Sequence, residues 1–234
     1  MFFQSPNTIF LGLTASCLIL NACSTDSVTG GNSNQASVRY ANTMAGGTGS
    51  LVFLENANST GLTVPYQTVG ACQNLSPAST DFSVEQSGTS TVLASLSGET
   101  LTAGSRYTVL ATGTTTAPNL IFLTDTYTTP ASGRGRLRVI NAVGVGISFD
   151  VYIGTPGSAL GTANQTNVGF NTSQAFLDIP AGLTVVQVTT PGTQTVLGTS
   201  GNFTVNSGDV TTLVVGPATT VGGAFTSFFV PECP

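Results

Sequence analysis

The sequence predicts an all-β protein built of two tandem antiparallel β-sandwich domains, and three observations predict it. Beyond residue 35, short stretches rich in Val, Thr, Phe, Tyr and Leu alternate with Gly, Pro, Asn and Ser, the pattern of strands and turns. No apolar series recurs at helical spacing, and turn residues follow one another too closely for the crossover helices of a parallel sheet. The strand-like segments also fall into two matching sets about 100 residues apart. Val38 to Asn42 (VRYAN) matches Leu137 to Asn141 (LRVIN), SGTSTVL ending at Leu93 matches PGTQTVL ending at Leu197, and LTAGSRYTVLA from Leu101 matches VNSGDVTTLVV from Val205.

The chain opens on a targeting segment. Ile9 to Leu20 is an apolar run of about 12 residues, too short to span a bilayer and of the length of a signal-peptide core. Leu20-Asn21-Ala22-Cys23 resembles a bacterial lipobox, with Leu three places before the Cys and a small residue just before it. Residues 1–22 are therefore expected to be a lipoprotein signal peptide and Cys23 the lipidation site; Cys17, inside the run, follows the poorer Thr-Ala-Ser. Acyl chains at roughly 0.8 kcal/mol per buried methylene would hold the chain on a membrane. Ser24, in place of Asp, fits transport to the outer membrane. Residues 23–35 are polar and rich in Gly, Ser and Asn, as in a flexible tether.

The first β-sandwich repeat is expected over residues 36–126, with strands at Ser37 to Ala41, Ser50 to Glu55, Thr80 to Gln86, Val92 to Leu96, Tyr107 to Thr112 and Leu120 to Thr124. Residues 127–133 (YTTPASG) read as a linker whose Pro limits its swing. The second repeat is expected over 134–234. Its predicted strands are Arg136 to Asn141, Ser148 to Ile153, Ser173 to Ile179, Thr184 to Thr189, Val196 to Val205 in two pieces, Thr211 to Val215 and Ala224 to Val230.

Composition narrows the chemistry. The chain has 234 residues, 10 Asp+Glu and 5 Lys+Arg, all of them Arg, with no His, no Trp and a net charge of −5. Without His there is no imidazole base and no His-ligated metal. Without Lys or a basic surface, no nucleic-acid partner is expected. Hydrophobic residues at 40% of the chain nevertheless supply enough apolar surface to fold.

The candidate chemical groups are few. Asp81 and Glu85 alternate with Phe82 and Val84 and so share the outer face of a strand, a carboxylate pair that fits a glycosidase less well than a solvated sheet face. Asn206 to Asp209 reads as a hairpin turn, since four residues cannot supply the oxygens a Ca²⁺ ion needs. No metal site and no cofactor are expected. Arg39 and Arg138 hold matching places, either as a repeated ligand contact or, the preferred reading, as charges that blunt a sheet edge by pairing with a strand neighbour. Asp150 is the expected ion-pair partner of Arg138. Arg134-Gly135-Arg136 is expected to make polar contacts between the domains. Tyr40, Tyr66 and Tyr152 would form a sugar-stacking platform if they shared a surface; half-buried strand tyrosines are the commoner case.

The cysteines yield to arithmetic. Signal removal discards Cys17 and lipidation consumes Cys23, which leaves Cys72 and Cys233 in a compartment where disulfides persist. A bond between them is expected to tie the end of the chain to the first domain, the alternatives being free thiols or an intermolecular bridge. Closing a loop of about 160 residues is worth roughly 5 kcal/mol in the chain-entropy model.

The second set, with LRVINA, FDVYIG, LDIPAGLTVVQVTTPGTQTVL and SGDVTTLVV, resembles the bacterial repeat catalogued as domain of unknown function 4397. The first set matches more loosely, through VRYANT, LTVPYQTV, LTAGSRYTVLATG and LIFLTD. The resemblance covers about residues 36–232. It implies tandem immunoglobulin-like sandwiches in envelope lipoproteins or secreted proteins, and lends no catalytic residue. Both copies depart from it by lacking the usual Ser-Pro-Asp-Ala-Pro segment, and Leu51 aligns with Asp150.

Together these readings predict a non-catalytic lipoprotein of the bacterial cell envelope, a structural or adhesive module anchored to the outer membrane through Cys23. The alternative is a binding module for a glycan or other extracellular polymer; a glycoside-acting enzyme is a distant third. The expected partners are the membrane and an envelope protein or glycan.

Overall fold

The computed structural model describes residues 34–45, 49–172, 174–217 and 225–233. The expected signal peptide, Cys17, the lipidation site Cys23 and the tether as far as residue 33 lie outside the described residues.

The described chain is all β, without a helix. The first half contains β1 (Ala36–Asn42), β2 (Leu51–Glu55), β3 (Asn58–Val64), β4 (Thr68–Val69), β5 (Gln73–Leu75), β6 (Ser79–Gln86), β7 (Val92–Thr100), β8 (Arg106–Thr114) and β9 (Ala117–Thr124). The second contains β10 (Arg134–Asn141), β11 (Ser148–Gly154), β12 (Gln165–Gly169), β13 (Leu177–Pro180), β14 (Gly182–Thr189), β15 (Val196–Val205), β16 (Val210–Gly216) and β17 (Thr226–Pro231). Each half is a sandwich of two sheets. One sheet of the first half runs β3-β2-β6-β7 and the other β4-β1-β8-β9, with β5 also on β1; their counterparts run β12-β11-β14-β15 and β13-β10-β16-β17.

The β1 and β10 sheets face each other, so the molecule has four layers with two outer and two inner sheets. Burial along β1 records this arrangement: Val38 and Tyr40 point into the first sandwich, whereas Ala41 points toward the second half. In β10, Leu137 and Val139 fill the second sandwich and Ile140 packs with Ala41, Leu110, Leu123, Val214 and Val230 between the halves. A strand covered on both faces reads as a nearly continuous apolar run, which is why VRYAN and LRVIN stand out. The first core is aromatic, with Tyr40 and Phe53 ring centroids 5.0 Å apart and Phe122 stacked between Phe82 and Tyr107. Aliphatic residues dominate the second core around Phe149.

Pairing is antiparallel except between β1 and β8 and between β10 and β16, which are parallel. The intervening chain visits the outer sheet twice, returning in between to pair β4 and β5 with β1 or β13 with β10, so strands supply the crossover that a helix provides in α/β folds. Asn42 and Asn141, the shared last residues of VRYAN and LRVIN, fix the turn that follows. Asn141 Nδ2 donates to the Ile147 and Val168 carbonyls while its Oδ1 accepts from Val143 N at 3.0 Å; Asn42 bonds likewise to Val64 O and Met44 N. Gly135 allows a close approach: a Cβ there would lie 2.5 Å from Val205 Cγ1.

The registers align the halves residue by residue. Arg39 sits opposite Thr108 and Arg138 opposite Thr212, while Thr108 faces Leu123 and Thr212 faces Val230. Asp125 therefore corresponds to Glu232, and Thr126 to Cys233. On the other flank Val38 pairs with Gln73 and Leu137 with Leu177, so Cys72 corresponds to Phe176. Phe53 opposite Val84 and Val151 opposite Val188 make Leu51 the counterpart of Phe149, which corrects the alignment of Leu51 with Asp150. Four strands, β3, β4, β5 and β12, are additions to the expected set, and the described part of the predicted strand Ser173 to Ile179 is extended only from Leu177, at the start of β13.

Candidate functional site: an open cleft between the inner sheets

The correspondence of Cys72 with Phe176 and of Cys233 with Thr126 gives the interface two unlike flanks. On one, Cys72 and Cys233 are joined, with Cα atoms 5.9 Å apart and a sequence separation of 161. On the other, where the bond would recur, the chain leaves β9 and crosses to β10, and Phe176 and Tyr127 border an open cleft of about 480 Å³. A second cavity of about 510 Å³, lined by Arg106, Asp125 and Thr129 among others, adjoins it through Thr126 and Tyr127.

Geometry in the cleft is held by a buried ion pair. Arg138 Nη2 donates to Asp125 Oδ1, Arg138 Nε to Thr212 Oγ1 at 3.0 Å, and Asp125 Oδ2 accepts from Thr108 Oγ1 at 2.8 Å. The guanidinium is thereby fixed over the Phe176 ring, 4.5 Å from its centroid, and Tyr127 meets the same ring edge-on with centroids 5.5 Å apart. A cation over an aromatic face is attracted by the ring quadrupole. Both rings remain half-exposed. Arg136 adds a second guanidinium: its Nη2 donates to Thr128 Oγ1 at 2.6 Å, and its buried Nε has no hydrogen-bond partner, Asp178 Oδ1 lying 4.0 Å away. Gln174 contributes an amide to the same wall.

The expected Arg138–Asp150 pair does not form. Arg138 leaves β10 on the face toward the other half, whereas Asp150 lies in an outer sheet and accepts backbone N–H bonds from Asn167 and Gly192, both at 2.7 Å. Nor do Arg39 and Arg138 blunt sheet edges, since β1 and β10 are interior strands. Arg39 reaches across the interface in the opposite direction, Nη2 donating to Glu232 O at 3.2 Å. Burial pulls the Arg39 guanidinium below its usual pKa. Burial and the Asp125 charge push the Glu232 carboxyl up to about 8, against the pull of Arg138, Arg106 and Arg39. Arg106 Nε donates to Cys233 O at 2.8 Å.

The three tyrosines do not share a surface. Tyr40 is buried and donates to Glu55, Tyr66 donates to Pro217 O across the interface at 2.8 Å, and Tyr152 lies on an outer sheet. Asp81 and Glu85 lie on β6, where Asp81 Oδ1 accepts from Gly98 N at 2.8 Å; bulges interrupt the pairing between them. Asp209 closes the Asn206 turn, accepting from Asn206 N at 2.7 Å. Arg134 pairs with Asp178 within its own half, and Arg136 with the linker. Among the described residues no three His, Cys, Asp or Glu side chains gather to hold a metal ion. Sequence reasoning passed over Tyr127 and Phe176. The available signal was an aromatic residue in an otherwise polar linker.

A family described as "Domain of unknown function (DUF4397)" matches residues 36–152. The chain belongs to this family. The DUF4397 match starts at the first residue of β1 and ends inside β11, so it crosses the linker and takes in both inner-sheet strands that carry the matched arginines. No curated protein matches the chain. Two solved structures are similar at a distance: one titled "Alpha-glucan binding by a streptococcal virulence factor" (9% identity, 79% of this chain, 95% of that chain, TM-score 0.26) and a family CBM26 module from Eubacterium rectale Amy13K in complex with maltoheptaose (14% identity, 86% of this chain, 98% of that chain, TM-score 0.22). Likenesses this distant bear on neither the fold nor the ligand of the DUF4397 chain.

Proposed function

We propose that this chain is a non-catalytic, lipid-anchored module of the bacterial cell envelope that binds a glycan in the cleft between its inner sheets. The observation that carries the reading is the meeting of two half-exposed rings, Tyr127 and Phe176, with the planar polar groups of Arg136 and Gln174 and the Thr128 hydroxyl. Sugar rings offer apolar C–H faces and hydroxyl edges, and a wall that alternates aromatic faces with forked donors answers both. The cleft is also pre-formed: the Arg138–Asp125 pair on one side and the Cys72–Cys233 bond on the other hold the two halves, so little ordering is left for a ligand to impose. Anchoring through Cys23 rests on the lipobox resemblance of Leu20 to Cys23.

The test is a glycan array probed with the mature chain and with Phe176→Ala. Binding by the wild type that the substitution abolishes supports the reading. A wild type that binds no glycan leaves a structural spacer. Incorporation of radiolabelled palmitate, lost in Cys23→Ala, checks the anchor separately.

A further inference from the structure

Positive charge in this protein is confined to the inner layers. All five arginines of the chain lie on the inner sheets, Arg39 on β1, Arg106 on β8 and Arg134, Arg136 and Arg138 on β10. The outer sheets carry Glu55, Asp81, Glu85, Glu99 and Asp150 and no cation. Two arginines around the cleft are incompletely matched. Arg106 forms no ion pair among the described residues, and Arg136 shares Asp178, at 4.0 Å, with the closer Arg134. The acceptor on Arg136 Nη2 is the neutral Thr128 hydroxyl, which an incoming carboxylate can displace, and its buried Nε has no hydrogen-bond partner.

From this sorting we infer that the cleft takes an acidic glycan, a carboxylated oligosaccharide whose carboxylate is received by Arg136 and whose sugar face packs on Tyr127 and Phe176. The inference rests on the glycan-binding reading and sharpens it. The outer sheets hold carboxylates without a cation and repel an anionic polymer, whereas the inner layers set five guanidinium groups against Asp178 and the adjoining Asp125, Asp209 and Glu232, so the field favours approach at the cleft. Planar guanidinium recognises carboxylate with two parallel hydrogen bonds, a geometry neither hydroxyl nor amide reproduces.

The experiment is titration calorimetry of the mature chain with tetragalacturonate and with the same oligosaccharide fully methyl-esterified, in which each carboxylate becomes a neutral ester. The acid should bind about tenfold more tightly than the ester, a preference that fades as salt rises. Arg136→Gln should lower affinity for the acid about tenfold, Arg136→Lys by less, and Glu85→Gln on the outer sheet should change neither ligand's binding. Equal binding of acid and ester overturns the inference while sustaining glycan binding. Failure of both, with no neutral glycan bound on the array, overturns both readings. Displacement of the acid by equimolar inorganic sulfate would reduce the cleft to a small-anion pocket and overturn the inference as well.

Discussion

Arg138 and Asp125 belong to different halves of the chain and form an ion pair that is almost wholly buried, with side chains 2% and 4% exposed. Their counterparts, Arg39 and Glu232, occupy the matching places but meet only through the Glu232 carbonyl. The interface is thus symmetric in its backbone and asymmetric in its chemistry: an ion pair beside the open cleft, a disulfide on the opposite flank.

Removing one partner of that pair leaves the other charge buried. Asp125→Ala should therefore cost about 3–5 kcal/mol, whereas the double variant Asp125→Leu/Arg138→Met should lose much less, because the unpaired charge is gone. Urea unfolding of the single and double variants checks this; equal losses in both would show that packing, not charge, governs the position.

Stability should fall as pH rises from about 4.5 to about 8. The Glu232 carboxyl, pushed up to about 8 by burial and Asp125, holds its proton more tightly in the folded chain than in the unfolded one. The folded state then carries more protons across that window, so the stabilisation is complete below the unfolded value and lost as pH climbs through the folded one. Burial raises Glu55 as well, which adds in the same direction. Urea midpoints at pH 5 and pH 8 should differ, and Glu232→Gln should narrow the difference; a midpoint that rises with pH contradicts the assignment.

Peptide mapping without reduction should recover Cys72 and Cys233 in one linked species. Cys72→Ser opens a loop closed over 161 residues, for which the chain-entropy model gives a loss of about 5 kcal/mol as an upper figure. Separately alkylated Cys72 and Cys233 peptides from the unreduced protein would rule the bond out.

How far the fold could be read depended on where each strand gets its partners. Val38, Tyr40, Leu137 and Val139 announce themselves because their strands are covered on both faces, and Phe82 and Val84 because theirs alternates. β4 and β5 have two and three residues, too few for any period to register, and they pair with the side of β1 that β8 does not use. The site was less legible. Whether Arg138 meets Asp150 or Asp125 turns on which face of β10 looks toward the other half, a tertiary fact with no local signature. Phe176 becomes conspicuous only when the β13 register sets it in the place that Cys72 holds in the first half.

Both ends of the described chain meet at Arg106. Ser37 lies beside it in the parallel β1–β8 pair, Gln35 O accepts from the nearby Gly104 N at 2.8 Å, and Arg106 Nε holds the Cys233 carbonyl. Because β1 and β8 run in the same direction, a pull along β1 from ahead of Gln35 strains their hydrogen bonds in shear, all together, instead of peeling them apart one by one. With Cys233 fastened to Cys72 beside the same pole, tension entering the first strand spreads into both halves.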